Sequence, residues 1–193
     1  MDKNRIITTD RLYLRKLDRN DFRDLCDILM DETVMYAYEH AFDKEEAEEW
    51  LERQLTRYEE DGFGLWAAIL KESGEFAGQV GITMQECDGE RVPEIGYLFK
   101  KQYWHKGYAS EAAEGCKNYA FNILGVDKIY SIIRDTNLAS QAVARRNGMR
   151  PVKTIIKHYY NMDMPHLVFC AEKGLRDGNN RGEAAGDGAG IAY

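Results

Sequence analysis

Residues 103–112 read Tyr-Trp-His-Lys-Gly-Tyr-Ala-Ser-Glu-Ala, at a point where a strand pattern gives way to a helical one. A helix that starts there presents unpaired N–H groups and the positive end of its macrodipole, and both favour an anion. Gly107 and Ala109 keep the turn narrow enough for a phosphate to reach the backbone. Lys106 either adds positive charge or points to solvent. The segment is neither a Walker A loop nor a Gly-x-Gly-x-x-Gly fingerprint. Taken alone, it also fits an ordinary strand-to-helix connection.

A second segment lies thirty residues on. Asn137-Leu138-Ala139-Ser140 opens a short helix, and Asn147-Gly148-Met149 closes it. A hydroxyl and an amide in a first helical turn can serve a reacting group. Asn137 equally fits a plain N-cap, and Ser140 equally fits a surface serine. Glu94 is a carboxylate in an otherwise apolar strand, a setting that raises a pKa toward that of a general base. A solvent-facing strand end is its other reading. Asp163-x-x-His166 has two metal-ligand types, but no third ligand is spaced to match, and no metal is expected.

These groups need a scaffold, and the apolar periodicity supplies one. Residues 6–17 read as a strand. Asn20-Asp21 caps a short helix carrying Phe22, Leu25 and Leu29. A loop with Tyr36 and Tyr38 follows, its aromatics either walling a pocket or simply packing. Asp43 caps a second helix with Glu46 in the capping-box position. Strands are expected at 63–70, 76–87 and 94–100, joined by turns at Glu72–Glu75 and Asp88-Gly89. Gly78 and Gly81 weaken the middle one locally. A helix spans 108–124, a fifth strand 128–134 and a helix 137–147 stopped by Gly148. Strands at 151–160 and 167–172 finish the sheet. The polar stretch 157–166 joins them, either as a loop beside a substrate pocket or as plain structure.

This order gives a mixed α/β domain, a mostly antiparallel sheet of about seven strands with about four helices. The helix after the fourth strand makes a parallel crossover to the fifth. One domain is expected over 1–173, with a disordered Gly-rich tail at 174–193.

With 193 residues and 44% apolar content, the chain can bury a core without staples. A net charge of −7 argues weakly against nucleic acid as the main partner; it fits a cationic substrate and equally fits acidity kept for solubility alone. The four cysteines form no Cys-x-x-Cys pair and read as reduced thiols. No apolar run approaches a membrane span or follows a signal-peptide pattern. The expectation is a cytoplasmic protein that does not bind membranes.

Five segments carry a resemblance: Thr8-Thr9-Asp10-Arg11-Leu12, Glu94-Ile95-Gly96-Tyr97, Trp104 to Ala112, Asn137-x-x-Ser140 and Asn147-Gly148-Met149. In this order and spacing the chain resembles the GNAT acetyltransferases over residues 6–172, most closely the ribosomal-protein-alanine N-acetyltransferase-like (RimJ/RimL-like) branch. The resemblance implies acetyl-coenzyme A as cosubstrate and a primary amine as acceptor: a protein N-terminus, a polyamine or a small molecule. A non-catalytic coenzyme A-binding module of the same fold is the alternative.

The family's Arg/Gln-x-x-Gly-x-Gly/Ala turn corresponds to Trp104-x-x-Gly107-x-Ala109, so Trp104, His105, Lys106, Gly107, Tyr108, Ala109 and Ser110 are implied cofactor contacts. Trp104 departs from Arg or Gln, and His105 from a frequent Gly. The pantetheine arm is implied to pair with backbone of about Leu98, Phe99 and Lys100, where the fourth and fifth strands part, and with Asn137. Many relatives place an acid tyrosine four residues after Ser140. Ala144 stands there, so Ser140 is the implied acid toward the thioester sulfur, and Glu94 the candidate base. A backbone N–H at the end of the fourth strand would polarise the thioester carbonyl. Homodimers are common in the family.

Overall fold

The structure is a computed structural model describing residues 5–38, 40–159 and 162–174. The expected tail therefore lies, apart from Gly174, outside the described residues. One eight-stranded sheet runs in the order β1-β2-β3-β4-β5-β6-β8-β7. Its strands are β1 (Arg5–Thr8), β2 (Leu12–Lys16), β3 (Leu65–Leu70), β4 (Phe76–Cys87), β5 (Glu90–Phe99), β6 (Lys128–Arg134), β7 (Arg150–Tyr159) and β8 (Met162–Glu172). The helices are α1 (Phe22–Leu29), α2 (Lys44–Glu60), α3 (Tyr108–Tyr119) and α4 (Leu138–Arg146). The expected fourth and fifth strands are thus β5 and β6.

Every strand pair is antiparallel except β5–β6. β3 and most of β4 are buried on both faces, so helices must cover both sides. Trp50 of α2 donates to Gln79 of β4 (3.0 Å), while Tyr119 of α3 stacks edge-on against Trp66 of β3. Gln79 pairs with Ala67, the neighbour of Trp66. Successive strand residues face opposite ways, so α2 and α3 lie on opposite faces.

Local chemistry explains most boundaries. Asp43 accepts from the Glu46 N–H while Glu46 returns a bond to the Asp43 N–H, each 2.9 Å, the capping box that starts α2. Gly81 is required by close approach, because a Cβ there would lie 2.0 Å from the Gly64 carbonyl oxygen.

Four expectations are corrected. The single strand at 6–17 is a hairpin, β1 and β2. Thr9 turns the chain: its N–H donates to the Leu12 carbonyl (3.0 Å), and its hydroxyl accepts the Leu12 N–H (3.2 Å). The sheet therefore has eight strands. The side-chain cap before α1 is Asp18 rather than Asn20: it accepts the Asn20 N–H at 2.7 Å and opens a short 3-10 turn, while Asp21 accepts the Asp18 N–H in return (2.9 Å). Asp21 also holds Arg15 bidentately, both bonds 2.7 Å.

β5 starts at Glu90 rather than Glu94, running through Pro93. Lys100 sends its N–H to Ala77 of β4. Alternation along the strand then turns the Pro93 nitrogen away from β4, and the ladder loses no bond. Finally, the described residues of the stretch 157–166 are strand: β7 runs to Tyr159 and β8 starts at Met162, with Lys157 opposite Met164 and His158 opposite Asp163, while residues 160 and 161 lie outside the described residues.

Candidate active site

The turn into α3 keeps its amides free. Gly107 is the N-cap with φ +83°, and no side chain caps the helix. The first helical bond runs from the Glu111 N–H to the Gly107 carbonyl (3.0 Å). The N–H groups of Tyr108, Ala109 and Ser110 precede it and have no intrahelical acceptor. These residues are partly accessible, so an anion can reach that end of the helix. The residues present therefore fit a diphosphate.

The departures from the family motif acquire reasons. Trp104 donates its indole N–H to the Phe99 carbonyl (2.8 Å), tying the turn to the end of β5. His105 sits at φ +59°, a left-handed conformation that glycine adopts without cost. Lys106 folds its ammonium toward the Tyr103 ring at 5.5 Å. Its carbonyl accepts from Arg11 (2.8 Å).

The sheet opens beside this turn. β5 and β6 pair at one position, Glu94 with Tyr130, whereas β4 and β5 pair at ten consecutive positions from Gly78–Phe99 to Cys87–Glu90. The freed edge of β6 is met by a side chain: Glu94 accepts the Ile132 N–H at 2.7 Å. The Ser131 hydroxyl donates to the Ile95 carbonyl (3.1 Å). Burial pushes the Glu94 carboxyl up to about 7, with the Ile132 N–H and the positive charges of Lys157 and Arg57 opposing the shift.

Of the stretch 98–100, Lys100 turns away. Its N–H goes to β4, and its ammonium bonds Asp24 (2.7 Å) and Asp27 (2.8 Å). The same alternation directs Leu98 to β4 and leaves the backbone of Tyr97 and Phe99 facing the opening.

The start of α4 closes the far side. Asn137 caps the helix, its side-chain oxygen accepting the Ser140 N–H (3.0 Å). The same oxygen accepts the Tyr36 hydroxyl (2.7 Å), so the segment after α1 is latched to α4. The Ser140 carbonyl accepts the Tyr97 hydroxyl (3.2 Å), and burial pushes that phenol up to about 12. A side-chain hydrogen bond with Ser140 opposes that shift. Asn147 ends α4 buried, donating to the Val143 carbonyl (3.0 Å) and to the Ser110 carbonyl (3.3 Å). Ala144 is buried, leaving no phenol on that face of α4.

The structure thus gathers Glu94, Tyr97, Phe99, Trp104 to Ser110, Asn137 and Ser140 around one opening. Glu94 and Ser140 share no bond. Tyr97 stands between them, bonded to Ser140 and within range of the Glu94 charge. Tyr36 joins the site. Tyr38 instead packs edge-on against Trp50 at 6.1 Å.

Asp163 and His166 are three apart on one strand and so face opposite ways. His166 bonds the Met164 carbonyl. No group of three possible metal ligands occurs among the described residues. Tyr97, Arg11 and Glu111 were present in the quoted segments, but nothing in the sequence gave them partners 43 and 100 residues away.

Comparison with known proteins bears on the family and the fold. Residues 11–150 match the family model described as an acetyltransferase (GNAT) domain. The chain is 39% identical over 152 residues to the uncharacterized protein YkkB of Bacillus subtilis (strain 168), covering 78% of this chain and 88% of that one. It is 30% identical over 145 residues to the uncharacterized N-acetyltransferase YnaD of the same organism, covering 75% and 82%. Its fold matches RimL, a ribosomal L7/L12 alpha-N-protein acetyltransferase solved in complex with coenzyme A. That match has a TM-score of 0.72 at 16% identity and covers 86% of this chain and 97% of that one. Among the described residues no helix is long and apolar enough to cross a membrane.

Proposed function

The chain belongs to the acetyltransferase (GNAT) family, and from that premise we propose that it transfers an acetyl group from acetyl-coenzyme A to a primary amine. The acceptor is a protein N-terminus, a polyamine or another small amine. The observation that carries the reading is the uncapped start of α3 beside the single-bridge opening between β5 and β6. One end binds a diphosphate; the other admits an extended arm. The N-acetyltransferase name of the relative and the coenzyme A complex of the shared fold support the choice of donor.

Acetyl-coenzyme A supplies an activated acetyl thioester. The N–H groups of Tyr108, Ala109 and Ser110 hold its diphosphate. The outward backbone of Tyr97 and Phe99 lies along the pantetheine, with the Asn137 amide as a further donor. A backbone N–H on this stretch faces the thioester carbonyl. Glu94 takes the proton of the attacking amine, directly or through water. A carboxyl near 7 is matched to that task at neutral pH. The Ser140 hydroxyl donates toward the sulfur as it leaves.

Calorimetric titration with acetyl-coenzyme A, followed by an amine screen, tests the reading. Micromolar binding is expected, weakened more than about tenfold in Gly107→Val, since a β-branched residue is strained at φ +83°. No binding at millimolar cofactor would remove the reading. Binding without turnover on any amine would favour a non-catalytic coenzyme A module.

A further inference from the structure

Arg11 lies in the turn between β1 and β2, about a hundred residues from the cofactor turn, yet its guanidinium is built into it. Nε donates to Glu111 (2.6 Å). Nη1 donates to the Lys106 carbonyl (2.8 Å). Nη2 lies against Gly107, 3.3 Å from where a Cβ would stand. The guanidinium carbon lies over the Tyr108 ring, 4.5 Å from its centroid. Glu111 also accepts the Arg11 N–H (2.7 Å) and the Thr9 hydroxyl (2.6 Å). These bonds, with the arginine charge, outweigh its burial and hold its carboxyl below the usual range.

An ionised carboxylate in the first turn of α3 repels any second anion placed at that helix end. An unneutralised Glu111 would therefore compete with a diphosphate for the same field. Arg11 removes that conflict. It also fixes the turn: the Lys106–Gly107 peptide is trans, so anchoring its carbonyl on Arg11 directs the Gly107 N–H the opposite way.

Resting on the reading of this turn as the coenzyme A site, we propose that Arg11 is a positioning residue for the diphosphate. It acts by neutralising Glu111 and by orienting the Lys106–Gly107 peptide.

Calorimetric titration of coenzyme A into wild type, Arg11→Ala, Arg11→Lys and Arg11→Ala/Glu111→Gln tests this, with the unliganded melting midpoint of each as a control for folding. Arg11→Ala is expected to weaken binding about ten- to a hundredfold, the scale of lost charge-assisted bonds. Arg11→Lys recovers little, because an ammonium lacks the fork that spans Glu111 and the Lys106 carbonyl. The double variant binds coenzyme A better than Arg11→Ala alone, since the exposed carboxylate is gone; a purely structural loss gives no such rescue. Unchanged affinity in Arg11→Ala overturns the proposal, as does a double variant no better than the single. If Arg11→Ala does not fold, wild-type affinity in Arg11→Lys overturns it. Wild type that binds no coenzyme A overturns the site assignment itself, a separate failure.

Discussion

Glu94→Gln should stabilise the protein at alkaline pH while slowing turnover, and the size of the effect follows from its surroundings. A glutamate in an unfolded chain titrates near 4.3, whereas burial raises Glu94 to about 7. Below about pH 4 both states hold the proton and the group is neutral for stability. Between about 4 and 7 the unfolded chain ionises while the folded one does not, so stability falls as pH rises. Above about 7 the loss is complete. Each pH unit across that gap is worth about 1.36 kcal/mol, giving about 3.7 kcal/mol at most. Glu94 keeps some accessible surface, and about 2 kcal/mol is the expected observable loss. Glutamine keeps an oxygen for the Ile132 N–H and has nothing to ionise. Urea unfolding of both proteins at pH 4 and pH 8 measures the difference: near zero at pH 4, about 2 kcal/mol in favour of Glu94→Gln at pH 8. A difference that is the same at both pH values would refute the burial argument. So would a variant less stable than wild type at pH 8.

The same carboxyl, acting as base, should make kcat/KM rise with pH through about 7, and Glu94→Gln should flatten that limb in a pH–rate profile. Ser140→Ala should lower kcat on any accepted amine by about a hundredfold and leave calorimetric affinity for acetyl-coenzyme A unchanged; unaltered turnover would remove Ser140 as the acid. His105→Gly should raise stability by about 0.5–1 kcal/mol, because glycine relieves a left-handed strain of about 1–2 kcal/mol and returns about 0.4–1 kcal/mol through unfolded-state entropy. A lower thermal midpoint in that variant would contradict the strain at φ +59°.

Features set within a few residues were legible in the sequence. The Asp43–Glu46 box, the alternation of β6 and the Gly107 turn each depend on neighbours along the chain, and each appears where the pattern placed it. Features set by distant partners were not. The Thr9 turn is held by Glu111, 102 residues away in sequence. The extended ends of β7 and β8 depend on pairing His158 with Asp163, two polar residues with no apolar alternation to announce a strand. The start of β5 at Glu90, four residues before the expected Glu94, depends on the Pro93 nitrogen facing away from β4, which sequence does not tell. In the site, Glu94 was visible as an odd residue in an apolar run, but its bond to Ile132 was not, because only the parting of two strands creates that vacant N–H. Trp104 was visible as a departure from the motif, and only the folded turn makes it a tether on Phe99.

The single bridge between β5 and β6 also divides the molecule. On one side lie the five antiparallel strands β1 to β5, with α1 and α2 inserted between β2 and β3, and on the other β6, β8 and β7 with α4. Backbone bonding is dense within each panel and sparse across the seam, where side chains such as Glu94, Ser131, Tyr97 and Tyr36 stand in for the missing ladder. Two cooperative units meeting at such a seam can open sub-globally without either one melting. A ligand that laid its own amides along both edges would supply the ladder the chain lacks. Its binding energy would then appear as mechanical continuity of the whole sheet.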